Sequence, residues 1–129
     1  MTASRVFCLV GAAVDALAAV ALLSPSLSAR MLGVGDVPVT PALLYAMRTA
    51  AALMIGWTGL LLWASARPVE RGGVVVLTIV PVVAGLALTE LAGVADGFVA
   101  LANVAPLLVM QAALAAFGLW AWRRDRSGV

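Results

Sequence analysis

ALLYAMRTAAALMIGWTGLLLW, residues 42–63, is the stretch on which the fold turns. Its length matches that of an α-helix crossing a bilayer, about 20 residues. Inside lipid a helix satisfies its own backbone hydrogen bonds, which an open strand does not. One residue resists that setting. Arg48 is a full charge, and a guanidinium at the centre of a span costs about 2.5–3.5 kcal/mol on insertion scales. The other segments matter first for what they bring to Arg48.

Composition agrees with a membrane chain. The sequence has 129 residues, 64% of them hydrophobic and 11% charged, against about 25% charged in an ordinary soluble domain. The length argues for one domain, residues 1–129. Every cationic residue is an arginine, and Arg5, Arg67, Arg71, Arg123, Arg124 and Arg126 flank apolar runs. Membrane topology therefore explains the net charge of +2 better than nucleic acid does, and no nucleic-acid partner is expected. Histidine is absent and Cys8 is the only cysteine. That excludes a disulfide within the chain and leaves few ligands for zinc, haem or iron–sulfur groups. No metal and no cofactor are expected, and Cys8, among small residues, is read as packing.

The pattern predicts an all-α integral membrane protein, a four-helix bundle with spans at about residues 5–23, 42–64, 72–94 and 98–122. A charged start before an apolar run also fits a signal peptide. Asp15 within the run and the three later spans argue against it. On the first helix Asp15 shares a face with Cys8, Gly11, Ala12, Ala18 and Ala19, and small residues let a neighbouring backbone approach. Ser24-Pro25 and Thr40-Pro41 are cap-plus-proline helix starts. Between them Leu27, Met31 and Leu32 share one side, which predicts a short interfacial helix ended by Gly33 and Gly35. The third span reads VVVLTIVPVVAGLALTELAGV. Pro81 should kink it, and Gly85, Thr89, Gly93 and Gly97 predict a ridge of small residues for close packing. The fourth span carries Asn103, Pro106 and Gln111 and ends in WAWRRDR, residues 120–126, an interfacial anchor.

Arginine sorts by side. Only Arg30 lies in a loop opposite the other six flanking arginines. The positive-inside rule puts both termini and the middle loop in the cytoplasm, with the Arg30 and Asp96 loops outside. A rise of about 1.5 Å per residue then sets Arg48 roughly 10 Å below the outer surface, Glu90 roughly 9 Å, Asn103 at a similar level and Asp15 about 13–15 Å down. Four helices thus bring one strongly polar group each to the outer half. Tyr45 and Thr49 stand within one turn of Arg48. Two meanings stay open: an ion pair that only fixes helix register, or a functional pocket, as ionisable groups in membranes usually mark. In both, Arg48 should face the interior and contact a carboxylate, Glu90 before Asp15; the alternative is that its long stem snorkels outward to the interface.

Arg5 ahead of a glycine-containing first helix, the Pro25…Leu32-Gly33 connection, and Arg48 followed by an apolar run to Trp63 resemble in plan the small four-helix DoxX-like families of bacterial membrane proteins. The resemblance implies a four-helix bundle in the inner (plasma) membrane and an accessory role beside a redox system. The chain is also similar to small multidrug-resistance transporters, which carry a carboxylate in the first of four helices, where Asp15 stands here. It departs from them in having aspartate rather than glutamate, a longer first outer loop and a strong arginine bias. Membrane sterol isomerases of the EXPERA type share only the architecture of acids and an asparagine in a four-helix pocket.

Two functions follow. The first is a metal-free acid–base enzyme, an isomerase, epoxide-opening enzyme or cyclase, acting on a lipophilic small molecule. Asp15 and Glu90 would exchange protons while Arg48 and Asn103 orient or stabilise charge. Tyr45, Thr49, Trp57 and Met110 would line the substrate. The second is a small-molecule transporter or an accessory, structural subunit without catalysis. The partners expected are the lipid bilayer, a lipophilic small molecule and, through the glycine ridge, further copies in a homo-oligomer.

Overall fold

In the computed structural model residues 1–35 and 38–127 are described. They form five helices: α1 (Ala3–Leu22), α2 (Pro25–Leu32), α3 (Pro41–Ser65), α4 (Gly73–Ala95) and α5 (Leu101–Ser127). All but α2 are long and apolar enough to cross a membrane. No strand occurs among the described residues.

The expected boundaries fall where local chemistry sets them. Thr2 caps α1 by accepting from the Arg5 N–H, Ser24 caps α2 by accepting from Leu27, and Thr40 caps α3 by accepting from Leu43 at 3.1 Å. Pro25 and Pro41 occupy the first helical turn, where the missing N–H costs nothing. Gly33 ends α2 with φ of 62°, a left-handed conformation that a side chain disfavours. Ser28 then ties α2 back to α1 by donating to the Ala21 carbonyl at 2.8 Å.

Pro81 shapes α4. Residues Thr78–Val83 form a π-helical segment, and the Ala84 N–H reaches back to the Ile79 carbonyl. Proline cannot donate and its ring crowds the carbonyl four residues earlier. Widening the turn to a five-residue spacing relieves both faults and keeps the helix continuous.

The bundle is packed most tightly at the end that holds both termini. Phe7, Cys8, Ala12, Leu61, Ala64, Val74, Val75 and Ala121 form its buried core, with Trp57, Phe117 and Ile79 against it. α1 is the central helix: α3 lies along one side of it and α5 along another, and α4 packs on α5. α3 makes few contacts with α4, the Trp57–Thr78 hydrogen bond among them, so it is largely an edge helix. Gly118 leaves room for side chains of two neighbouring helices. A Cβ built there would stand 2.5 Å from Phe7 Cε2 and 2.9 Å from Ile79 Cδ1.

The glycine ridge of the third span does not make the close contact expected of it. A Cβ at Gly85 or Gly97 would meet nothing within 4 Å, one at Gly93 would only touch Val99, and Thr89 is exposed. Gly97 lies past the end of α4, Thr89 faces outward, and Gly85 and Gly93 are half-buried without a close neighbouring backbone.

Candidate functional site

The polar groups of the long helices are distributed over separate interhelical contacts. Asp15 is buried on α1 and accepts a hydrogen bond from Thr58 Oγ1 of α3 at 3.1 Å. The small residues beside it, Cys8, Ala12 and Ala19, are buried with it. They admit α3 closely enough for a short threonine side chain to reach the carboxylate.

Glu90 lies between α4 and α5. Its Oε1 accepts from Gln111 Nε2 at 2.9 Å. Glu90 Oε2 and Gln111 Oε1 are both buried and have no donor. Counting from the turn sets Asn103, not Gln111, level with Glu90. α5, however, begins only at Leu101, because Gly97, with φ of 72°, and the Phe98 N–H to Gly93 carbonyl bond close the end of α4 first. Asn103 is therefore in the first turn of α5, where its amide points at α2 and donates to the Gly33 carbonyl at 3.5 Å.

Arg48 does not join any of these groups. It is exposed on α3, and no carboxylate of the described residues lies within 4 Å of it. Among the described residues the one ion pair is Arg67 with Glu70, exposed in the turn before α4. The expected contact of Arg48 with Glu90, or with Asp15, is thus not made. α3 packs along α1 on the face that carries Met47, Ala51 and Thr58. Arg48 is one residue on from Met47, so it is turned away from α1, and α4 is too distant to supply Glu90.

Arg48 instead shares a shallow, open groove, lined by α3 alone, with Pro41, Leu44, Tyr45, Thr49 and Ala52. Tyr45 is 76% exposed, and the Thr49 hydroxyl donates to the Tyr45 carbonyl at 2.9 Å. Of the other expected substrate contacts, Trp57 is half-buried and its indole N–H donates to Thr78 Oγ1 at 3.2 Å. Thr78 in turn donates to the Val74 carbonyl at 2.8 Å. Met110 is exposed on α5 and does not line the Arg48 groove. Asp15, Glu90, Arg48 and Asn103 make no hydrogen bond or ion pair with one another. Thr58 and Gly33 were not singled out as partners from sequence. A threonine in an apolar run is a weak signal, because its hydroxyl can bond its own helix.

The end carrying both termini is basic and aromatic. Arg71 lies over the Trp63 ring at 3.6 Å, Arg126 over Trp122 at 4.5 Å and Arg124 near Trp120 at 5.1 Å, all within cation–π range. Asp125 Oδ2 accepts from the Ser4 N–H at 2.8 Å, so the last turn of α5 caps the first turn of α1. No cluster of three metal-ligating side chains occurs among the described residues. No protein-family model, curated protein or solved structure matches this chain.

Proposed function

We propose that the chain is a multi-pass protein of the plasma (inner) membrane that binds a lipophilic anion on the outward face of α3, acting as an accessory subunit rather than as an enzyme. Both termini and the α3–α4 turn are cytoplasmic. The arginine sorting supports this orientation, as do the arginine–tryptophan contacts at that end. The DoxX-like plan fits an accessory role.

Arg48 carries the proposal. It is a guanidinium within an apolar helix, exposed, beside Tyr45 and Thr49 in an open groove. A charge in that setting favours a counter-charge, and among the described residues no carboxylate supplies one. Asp15 and Glu90, in contrast, are occupied by the neutral side chains of Thr58 and Gln111. Acid–base turnover needs both acids, Arg48 and Asn103 on one substrate, whereas Asp15, Glu90 and Asn103 each have a different partner and Arg48 has none among the described residues. Their role is to set the register of α1 on α3 and of α4 on α5.

Binding of a fluorescent long-chain anion to the purified chain in neutral nanodiscs tests this. Arg48→Gln should weaken binding roughly tenfold, the worth of one charge-assisted hydrogen bond. The double variant Asp15→Asn, Glu90→Gln should bind as the parent does. Binding that survives Arg48→Gln but is lost in the acid variant would sink the proposal and favour a site built on the carboxylates.

A further inference from the structure

We infer that the Arg48 groove seats one anionic phospholipid, its phosphate on the guanidinium and an acyl chain along α3. The inference rests on the anion-binding role proposed above and names the ligand.

The groove is complementary to such a molecule. Pro41, Leu44, Tyr45, Arg48, Thr49 and Ala52 recur at helical spacing and form one continuous face. The walls are mostly apolar, and the charge among them is a single guanidinium with the Tyr45 hydroxyl one turn away. Thr49 turns its hydroxyl onto the Tyr45 carbonyl, so its donor is satisfied within α3. An elongated apolar ligand with one anionic group matches this set.

Depth favours a phospholipid over a partner helix. Arg48 is seven residues past Pro41, the first residue of α3, or roughly 10 Å along the axis. An arginine stem reaches several ångströms back toward the interface, to the level of the phosphate layer. The planar guanidinium offers paired donors that match phosphate oxygens. A carboxylate on a second helix would itself have to be desolvated at this depth, and such pairs gain little net energy. A lipid phosphate already lies at the interface and avoids that cost.

The full chain is reconstituted in phosphatidylcholine vesicles doped with photoactivatable phosphatidylglycerol, with photoactivatable phosphatidylcholine as the neutral arm. Labelled peptides are then read by mass spectrometry. Phosphatidylglycerol should label residues 41–52 in preference to phosphatidylcholine. Arg48→Gln should lower that labelling roughly tenfold, and Arg48→Lys should retain the preference. Labelling of residues 116–127, which line the separate groove of Trp120, Arg123 and Arg124, should stay unchanged and report an intact fold. Equal labelling by the two lipids, or labelling indifferent to Arg48→Gln, overturns the inference. Arg48-dependent labelling by a photoactivatable long-chain carboxylate without any by phosphatidylglycerol also overturns it, while leaving the anion-binding role standing. A Thr49→Cys dimer that forms under a lipid-soluble crosslinker and disappears on Arg48→Gln would assign the face to a second copy instead.

Discussion

Glu90 and Gln111 join α4 to α5 by one hydrogen bond, Gln111 Nε2 to Glu90 Oε1 at 2.9 Å, and leave one buried oxygen on each side chain without a donor. Both orphaned oxygens are acceptors, so a side chain at position 90 that both accepts and donates supplies a donor that the contact lacks.

Glu90→Gln is therefore expected to preserve stability or raise it, since the new amide can donate to Gln111 Oε1 while still accepting from Gln111 Nε2. Glu90→Leu removes the acceptor and strands the Gln111 amide, a loss of about 1–3 kcal/mol. Thermal unfolding of the two variants in the same detergent checks this. A glutamine variant as unstable as the leucine variant would show that the negative charge, not the hydrogen-bond count, holds the contact.

Arg48→Leu should leave stability within about 0.5 kcal/mol of the parent, as for a surface position without partners. An arginine paired to Glu90 in the interior would instead cost about 3–5 kcal/mol on removal, because the acid would be stranded. The two outcomes are far enough apart for a melting curve to decide. Recovery of stability in Arg48→Leu with Glu90→Leu would point to the pair that the sequence led one to expect.

Thr58→Val should destabilise more than Asp15→Asn. Valine keeps the shape of threonine but deprives the buried Asp15 carboxylate of the donor at 3.1 Å, at about 1–3 kcal/mol. Asparagine at position 15 keeps an acceptor for the Thr58 hydroxyl and removes a buried charge, so about 0.6 kcal/mol, an average interhelical hydrogen bond in a membrane, bounds the loss. Melting temperatures in the order parent, Asp15→Asn, Thr58→Val would agree; the reverse order would not.

Gly118→Ala should cost about 1–3 kcal/mol, the usual penalty of overpacking. The added methyl would enter the Phe7 ring edge and Ile79 at under 3 Å; half-buried Ile79 can turn its Cδ1 aside, but the Phe7 ring is held in a core closed by Leu61 and Val75. Adding Phe7→Leu should return part of the loss. Gly85→Ala, where a Cβ meets nothing within 4 Å, is the matched control and should be neutral or slightly stabilising through helix propensity.

What the sequence determined by itself was the set of helices and their ends. Apolar length, the cap-plus-proline pairs at Ser24-Pro25 and Thr40-Pro41, and the stop at Gly33 act within a few residues of chain. Each of these signals therefore survives without knowledge of the fold. The number of long helices, the short α2 between the first two, and the small-residue face around Asp15 were all legible in this way. Which side of each helix meets which neighbour was decided only by tertiary structure. A helix that is apolar all round has little facial signal, since lipid tails and a protein interior are equally apolar. Counting along the chain misplaced Asn103, because the connection before α5 is longer than the turn that was read, and rotation about a helix axis could not be counted at all. Arg48 and Glu90 were set at the same level by counting. The packing of α3 along α1, away from α4, turned one outward and gave the other to Gln111.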